Sequence, residues 1–332
     1  MKYLESIQQS LEDLLTSDER VMIVGEDILD PYGGAFRATK SLSTKFPDRL
    51  IPTPISEAAI TGVGTGLAIR GYRPIVEIMF GDFLGLCFDQ LLNSASKFPL
   101  MYHSKVNVPL VVRTPMGAGR GYGPTHSQSI EKHFLGMPGL NVVAPSIFHN
   151  PGKLLRSATL DDNNPVVFIE NKILYTKELA EGNKSLHIET IYNKNYPIQL
   201  VRNYAGKAEP DVIVVTYGGT SEIVREIMTD LADEEINVLT ICPSLISDFT
   251  LEELFKLGIR FKKVIIAEEG SVGFNWGSEM AAVIYENQLP VLQKPIERIS
   301  SYHDIIPAAK HLEQEYIVNK KTILDTIFKI IA

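Results

Sequence analysis

Short apolar segments alternate with amphipathic ones along almost the whole chain, and this alternation constrains the fold more than any other feature. Leu4, Ile7, Leu11 and Leu14 recur at helical spacing, and the apolar run 21–24 that follows has the length of a buried strand. Strands that alternate with helices form largely parallel sheets covered by helices. The sequence therefore predicts an α/β fold.

The same pattern locates the other elements. A helix should begin near Ser56, because Pro54 restricts the preceding backbone and Ser56 can cap the first turn. The predicted strands are 74–80, 108–113, 141–143, 166–170, 212–216, 238–241 and 264–267. The other predicted helices are 82–97, 150–160, 221–233, 251–257 and 276–286, with a final helix that carries Ile323, Ile327 and Ile330 on one face.

The length of the chain predicts two domains, since 332 residues exceed what one hydrophobic core usually serves. Residues 175–209 are polar and have little periodicity outside 197–201, which is typical of a connection between domains. We therefore predict a first domain over 1–178, a connecting segment over 179–209 and a smaller α/β domain over 210–332.

Charge and composition exclude several classes of protein. The formal net charge is −8 and no run of Lys and Arg dominates, which argues against nucleic acid or an anionic membrane as the main partner. Glu5 interrupts the place where a signal peptide needs its apolar stretch, so we expect a cytoplasmic protein. Cys87 and Cys242 lie far apart in apolar runs and are predicted to be buried free thiols.

Three glycines, Gly62, Gly64 and Gly66, suggest a dinucleotide-binding motif at first sight. That motif needs a strand that runs directly into the glycines. Here the preceding residues 53–61 have the pattern of a cap and a first helical turn, so the glycines lie inside a helix. The ordinary interpretation is close packing between two elements, and a nicotinamide-binding module is the least favoured alternative.

Three residues with side chains suited to chemistry lie where an α/β fold binds ligands. Glu57 is at the start of a predicted helix, Phe83 follows a predicted strand, and His126 ends a glycine-rich loop over 114–125. Each has an ordinary structural interpretation as well: a carboxylate favoured by the helix dipole, a core aromatic ring, a surface histidine. Ligands in open α/β sheets bind at the carboxyl ends of strands, and long loops inside compact domains are usually functional.

Several common catalytic motifs are absent from the sequence. It has no phosphate-binding P-loop, no Gly-x-Ser-x-Gly elbow and no His, Cys and carboxylate set at metal spacing. The Gly-Asp-Gly motif with a downstream Asn-Asn, by which thiamine enzymes hold magnesium and diphosphate, is also missing.

Together the motifs resemble those of the beta subunit of the decarboxylating component of 2-oxo acid dehydrogenase complexes, the family of pyruvate and branched-chain 2-oxo acid dehydrogenases. Their order and spacing from about 24 to 175 carry the resemblance, and the second half is similar more loosely. The matching stretches are 25–27 (Gly-Glu-Asp), 32–36 (Tyr-Gly-Gly-Ala-Phe), 53–58 (Thr-Pro-Ile-Ser-Glu-Ala), 73–77 (Arg-Pro-Ile-Val-Glu), 88–90 (Phe-Asp-Gln), 126–129 (His-Ser-Gln-Ser) and 138–140 (Pro-Gly-Leu).

The resemblance implies a fold and a site. The fold is a parallel-sheet domain that binds the pyrimidine of thiamine diphosphate, followed by a smaller transketolase C-terminal-type α/β domain. Glu57 would face the aminopyrimidine, and Ile55, Phe83 and Leu86 would line its pocket. His126 would handle protons during the reaction and acyl transfer. A monovalent cation, K⁺, is implied at Leu110, Ala158, Asp162 and Asn164.

The resemblance also implies partners. The magnesium and diphosphate motif belongs to an alpha subunit in this family, so we expect a heterotetramer of two alpha and two beta chains that binds thiamine diphosphate and Mg²⁺ across the interface. The expected reaction is oxidative decarboxylation of a small 2-oxo acid, with acyl transfer to a lipoyl group and docking to a lipoyl acyltransferase.

Two alternatives within this resemblance stay open. The unusual 114–125 loop is compatible with an acyloin- or ketol-forming synthase that passes its acyl carbanion to another carbonyl. A non-catalytic paralogue kept for assembly is the other alternative, although intact Glu57 and His126 argue against it.

Overall fold

A parallel six-stranded sheet forms the first half of the computed structural model, which describes residues 1–183, 185–191, 195–206, 209–248, 250–302 and 304–332. The strand order is β2-β1-β3-β4-β6-β5, and every neighbouring pair is parallel. The strands are β1 Val21–Gly25, β2 Leu50–Pro52, β3 Arg73–Glu77, β4 Val111–Met116, β5 Asn141–Val143 and β6 Val166–Asn171. Almost all of their side chains are buried, as expected for a parallel sheet covered on both faces.

Helices cover this sheet. The opening helix α1 buries Ile7, Leu11 and Leu14, as the spacing predicts, and Asn150 caps α5 by accepting a hydrogen bond from the backbone N–H of Lys153. Helix α3 begins where expected, but the Ser56 side chain makes no capping hydrogen bond. The helices of this half are α1 Tyr3–Ser17, α2 Leu42–Lys45, α3 Glu57–Ile69, α4 Phe98–Met101 and α5 Pro151–Leu160.

The glycines of α3 lie inside the helix, as predicted, and one of them is needed for packing. A Cβ on Gly64 would lie 2.6 Å from Cγ2 of Val76 and 2.9 Å from Cδ1 of Leu110. Helix α3 therefore packs directly on β3, and the glycines mark close packing of a helix on a strand rather than a phosphate loop.

The predicted helix over 82–97 is wrong in type. A 3₁₀-helix, Gly81–Cys87, is followed by a π-helical turn, Gln90–Ala95. Gly81 and Gly85 weaken an α-helix, and Gly81 packs so closely on Met116 that a Cβ there would lie 2.7 Å from its Cε. Irregular helices of this kind are frequent at functional sites.

The strand predicted over 108–113 begins later, at Val111, and continues to Met116, through residues predicted to lie in a loop. Pro109 has no N–H to donate, and the N–H of Leu110 instead donates to the carbonyl of Val108 at 2.8 Å. This tight turn delays the start of the strand.

The second half contains a mixed six-stranded sheet of order β12-β11-β9-β10-β8-β7, in which β10–β8 and β8–β7 are antiparallel. The final helix α10 buries Ile323, Ile327 and Ile330, as predicted. The strands are β7 His187–Ile191, β8 Ile198–Arg202, β9 Val212–Thr216, β10 Val238–Pro243, β11 Val264–Ser271 and β12 Glu297–Ser301. The helices are α6 Thr220–Asp233, α7 Glu252–Lys256, α8 Trp276–Gln288, α9 Lys310–Tyr316 and α10 Lys320–Ile331.

The predicted connecting segment over 179–209 is not free of regular structure. It contains β7 and β8, which extend the second sheet, while 184, 192–194 and 207–208 lie outside the described residues. Strand β7 is an edge strand with half-exposed and exposed side chains, so its apolar pattern is weak. The domain boundaries themselves stay a prediction.

The two sheets are joined by backbone hydrogen bonds. The N–H of Ala144 donates to the carbonyl of Ser244 at 2.8 Å, and the N–H of Ile246 donates to the carbonyl of Val142 at 2.9 Å. Both predicted free thiols, Cys87 and Cys242, are buried and unpaired. Within the described ranges, none of the helices has the length and apolar character needed to cross a bilayer.

Candidate functional site

Glu57 is the first residue of α3, held at the carboxyl end of β1. The turn before it is fixed by a hydrogen bond from the N–H of Thr53 to the carbonyl of Gly25, 3.1 Å long. The Glu57 side chain is buried, with 6% exposure, yet no hydrogen bond to its carboxylate is found among the described residues. The carboxylate oxygens therefore have acceptor sites open to a hydrogen-bond donor from a ligand.

A second carboxylate, that of Glu26, lies beside it, at a position without a predicted role. Burial raises the pKa of Glu26, and the negative charges of Glu57 and Asp27 raise it further. Two carboxylates that repel each other favour the protonated form of one of them. The sequence signals for Glu26 are its place directly after a buried strand and its membership of the Gly-Glu-Asp stretch at 25–27.

Four rings meet at the carboxyl ends of β3 and β4. The centroid of His126 lies 4.5 Å from that of Phe80 and 5.4 Å from that of Phe83, and both contacts are edge-to-face. Tyr122, from the glycine-rich loop, packs on Phe80 at 6.0 Å. The structure therefore brings together two of the residues predicted for the site, Phe83 and His126.

The aromatic cluster adjoins the start of α3. The thiol sulfur of Cys87 lies 3.6 Å from the backbone carbonyl of Glu57 and 3.8 Å from that of Phe83, so the 3₁₀-helix and α3 touch here. Ile55 and Leu86 are 81% and 57% exposed, which is unusual for large apolar side chains so close to a buried acid. An unpaired carboxylate, aromatic rings and exposed aliphatic walls fit the heterocyclic end of an aminopyrimidine cofactor.

Lys172, at the carboxyl end of β6, contacts the aromatic cluster from inside the protein. Its side chain is fully buried and its ammonium donates a hydrogen bond to the backbone carbonyl of His126. The same ammonium lies 5.2 Å from the ring centre of Phe80 and 5.5 Å from that of Tyr122. Burial lowers its pKa to about 8. The sequence signal for this residue is the polar Asn171-Lys172 pair at the end of an apolar strand.

A buried ion network lies under the loop that precedes the cluster. The Arg113 guanidinium donates to Glu170 at 2.7 and 2.6 Å and to the carboxylate of Glu77. Glu77 in turn accepts a hydrogen bond from the N–H of Ala35 at 2.6 Å, and Tyr175 donates to Glu170 at 2.6 Å. The network fixes the loop after β1 against β3, β4 and β6.

The residues of the implied cation site are near one another, but oxygen atoms of Asp162 and Leu110 that could bind a cation already accept hydrogen bonds. The Asp162 carboxylate accepts hydrogen bonds from Asn141, Asn164 and Tyr196 at 2.7 to 3.0 Å. The carbonyl of Leu110 accepts from Val166.

The Arg73 guanidinium makes hydrogen bonds to backbone carbonyls near this site. One nitrogen of Arg73 donates to the backbone carbonyls of Thr159 and Asp162 at 2.9 and 2.7 Å. No described group of three acidic, His or Cys side chains could hold a metal ion. The K⁺ site at Leu110, Ala158, Asp162 and Asn164 stays a prediction.

A cavity of about 310 Å³ opens beside the segment that follows His126. Ser127 and Gln128 line one side of it, and Tyr302 and Ile305 from the second half of the chain line the other. The N–H and side-chain amide of Gln128 both donate to the Asp82 carboxylate, at 3.1 and 2.9 Å. There is thus room for part of a ligand between the two halves.

Comparison with known proteins identifies the family of the chain. Residues 1–178 match the family described as "Transketolase, pyrimidine binding domain", and 204–323 match "Transketolase, C-terminal domain". A solved structure described as "Split gene transketolase, inactive beta4 tetramer" has the same fold, with a TM-score of 0.70 and 18% identity over 100% of this chain and 98% of that one.

Two curated relatives are more similar in sequence. The acetoin:2,6-dichlorophenolindophenol oxidoreductase subunit beta of Cupriavidus necator is 33% identical over 94% of this chain and 92% of its own length. The pyruvate dehydrogenase E1 component subunit beta of Gracilaria tenuistipitata is 31% identical over 98% of both chains. The resemblance seen in the motifs is thereby confirmed over the whole chain. The protein belongs to the transketolase-like family of thiamine-dependent beta subunits that includes these two relatives.

Proposed function

We propose that this chain is the beta subunit of a thiamine-diphosphate-dependent 2-oxo acid dehydrogenase and that it is active only with an alpha subunit. The reaction is oxidative decarboxylation of a small 2-oxo acid, with transfer of the acyl group to a lipoyl group. The observation that carries the proposal is Glu57, 6% exposed and without a described hydrogen bond to its carboxylate, on a helix that contacts the 3₁₀-helix of Phe83, whose ring packs on His126. Family membership supports it.

The residues of this chain take the heterocyclic end of the cofactor. Glu57 holds a proton at the ring nitrogen of the aminopyrimidine, Phe83 offers a ring to it, and Ile55 and Leu86 form apolar walls. Thiamine diphosphate, when bound, supplies a sink for the electron pair released as carbon dioxide leaves. Burial raises the pKa of the neighbouring Glu26, and the charge of Glu57 raises it further.

His126 is the proton-transfer residue on the substrate side. Its ring lies against Phe80 and Phe83, and one ring nitrogen, Nδ1, is 2.9 Å from the hydroxyl of Thr125. An imidazole in this place can donate and recover a proton during acyl transfer. The rings that surround it exclude water from one side of the site.

The partner surface lies on the outer face of α3. Gly62, Val63 and Gly66 are exposed there, and Gly66 has no atom of the described chain within 4 Å of the place a Cβ would take. Together with Ile55 and Leu86 they form a smooth apolar face that begins at Glu57. We assign this face to the alpha subunit, which would hold Mg²⁺ and the diphosphate, in a heterotetramer of two alpha and two beta chains.

Co-purification tests this assignment. Gly66→Arg places a long cation on the α3 face without a clash inside the chain, so the isolated subunit should fold but lose the alpha subunit. Asp325→Arg, on the exposed face of α10, is the matched control and should still co-purify. Full retention of the alpha subunit by Gly66→Arg would move the interface elsewhere.

The catalytic assignment is tested with Glu57→Gln in the reconstituted complex. The carboxamide keeps the size of the side chain but cannot take up a proton, so we expect turnover to fall by about 10² to 10⁴. Assembly with the alpha subunit should be unchanged, and Glu234→Gln at an exposed position should have no effect. Unchanged turnover of the Glu57 variant would favour the non-catalytic alternative.

A second candidate function is chemistry on an acyloin, which is favoured by the relative from Cupriavidus necator that is named for acetoin. Release of carbon dioxide from 2-oxo acids, acylation of a lipoyl domain, and formation or cleavage of acetoin should be measured on one reconstituted preparation. Acyloin chemistry without lipoyl acylation would replace the leading proposal. Cytoplasmic location and docking to a lipoyl acyltransferase stay predictions.

A further inference from the structure

The glycine-rich loop after β4 has a regular backbone pattern. Gly117, Gly119, Gly121 and Gly123 have φ of 101°, 89°, 72° and 80°, and the residues between them do not have positive φ. Where left-handed and right-handed helical conformations alternate, neighbouring N–H groups can point to the same side of the chain. Such a concave row of donors, called a nest, binds anions.

A carboxylate from the far end of the chain fills this nest. The N–H of Gly119 donates to one oxygen of Glu313 at 3.0 Å, and the N–H of Gly121 donates to the other at 2.9 Å. Glu313 lies on α9 and its side chain is fully buried. Two charge-assisted hydrogen bonds to one buried carboxylate are a strong and directional contact.

Both flanks of the loop are held as well. At its start, the N–H of Ala118 donates to Glu269 at 2.5 Å, and at its end the Lys172 ammonium donates to the carbonyl of His126. Arg120, in the middle, donates to the carbonyl of Lys172 at 2.7 Å. The path of the chain into His126 is therefore set by charged side chains, two of them from the second half of the protein.

The loop also lies flat against the segment that precedes α9. A Cβ on Gly121 would be 3.3 Å from the carbonyl oxygen of Ala308, and one on Gly123 would be 3.3 Å from the Ala308 Cβ. A Cβ on Gly119 would be 2.6 Å from Cδ1 of Ile173. Side chains at these places would push the loop away from Glu313. The glycines therefore allow the close approach that the hydrogen bonds to the Glu313 carboxylate need.

We infer that Glu313 is a positioning residue: its carboxylate holds the glycine loop in the conformation that presents His126 to Phe80 and Phe83. The C-terminal domain thereby controls the geometry of a site built on the first sheet. The inference rests on the proposed function only for what His126 does in the reaction. The loop conformation itself can be tested without any activity.

The first test uses trypsin, because Arg120 is a cleavage site inside the loop. In the full-length chain, Glu313→Gln removes the charge with little change in size, and cleavage after Arg120 should become at least about tenfold faster. Glu315→Gln, an exposed neighbour on α9, is the matched control and should cleave like the wild type. Equal cleavage rates for Glu313→Gln and the wild type would overturn the inference.

The second test uses the complex reconstituted with its alpha subunit. We expect kcat of Glu313→Gln to fall about tenfold with little change in KM, while Glu313→Asp, which keeps the charge, recovers part of the loss. Equal loss in both variants, or a loss confined to KM, would refute a positioning role. If the wild-type complex has no activity, the proposed function fails, and the cleavage test still decides the role of Glu313.

A third measurement covers the case in which Glu313→Gln does not fold. Hydrogen exchange of the Gly119 and Gly121 amides in the wild-type chain should be slow, because both donate to a buried carboxylate. Gly121→Ala, which strains the loop from the other side, should speed exchange at Gly119 and cleavage after Arg120. Fast exchange of both amides in the wild type would contradict the inference.

Discussion

Replacement of Arg113 by Met is the most direct test of what holds the first sheet together beneath the site. Arg113, Glu77 and Glu170 have side-chain exposures of 0%, 1% and 0%. The guanidinium makes three hydrogen bonds to the two carboxylates. Met fills much of the same volume but leaves both acids without their cation.

The expected cost follows from that geometry. Removal of one partner of a buried ion pair costs about 3 to 5 kcal/mol, because it leaves an uncompensated charge. Glu77 keeps the N–H of Ala35 and Glu170 keeps the hydroxyl of Tyr175, which limits the loss. With an unfolding entropy of about 2.1 cal/mol/K per residue, this corresponds to a fall in Tm of roughly 4 to 7 °C.

The loss should depend on pH. Burial already raises the pKa of Glu77, while Arg113 opposes this effect, so removal of the guanidinium raises it further. When the pKa of a carboxyl group is higher in the folded state than in the unfolded state, the group contributes to the free energy of unfolding. That contribution is complete below the unfolded-state pKa and is lost as the pH rises through the folded-state pKa. The deficit of Arg113→Met should therefore shrink as the pH is lowered from 8 towards 5.

Urea unfolding followed by far-ultraviolet circular dichroism measures the free energy of unfolding at each pH. Arg156→Met, exposed on α5, is the control and should change it by less than about 0.5 kcal/mol. Adding Glu77→Gln and Glu170→Gln to Arg113→Met should recover much of the loss. A deficit below about 1 kcal/mol, or one that is constant from pH 8 to 5, would refute the reasoning.

Two further predictions concern stability. Burial raises the pKa of Glu268 from 4.5 to about 8. The stabilising contribution of its protonated form to the free energy of unfolding is therefore complete below about pH 4.5 and is lost as the pH rises towards 8. Glu268→Gln should thus be more stable than the wild type by roughly 5 kcal/mol at pH 9 and about equal at pH 4.5, as measured by urea unfolding; a pH-independent difference would contradict this. Gly64→Ala should destabilise the isolated chain by about 1 to 3 kcal/mol through its clash with Val76. Gly66→Ala should stabilise it by up to about 1 kcal/mol, and equal effects of the two changes would disprove the close packing of α3.

The predicted elements were most accurate where the physical signal is local. Apolar runs such as 212–216 fill a sheet buried on both faces, and the spacing of Ile323, Ile327 and Ile330 marks a helix face; the structure confirms both. Local signals failed where neighbours in space decide the geometry. Contact of Gly81 with Met116 accompanies a 3₁₀-helix where we predicted an α-helix, and the edge strand β7 has too few apolar residues to be recognised.

The sequence alone determined the alternation that makes an α/β fold, the place of Glu57 at the start of a helix, and the motifs that identify the family. Only the tertiary structure decided what surrounds that acid and what holds His126. Glu313 meets the loop amides across 192 and 194 residues of chain, and Glu269 meets Ala118 across 151. Contacts over such separations leave no periodic trace, because the residues become neighbours only when both sheets have formed and packed.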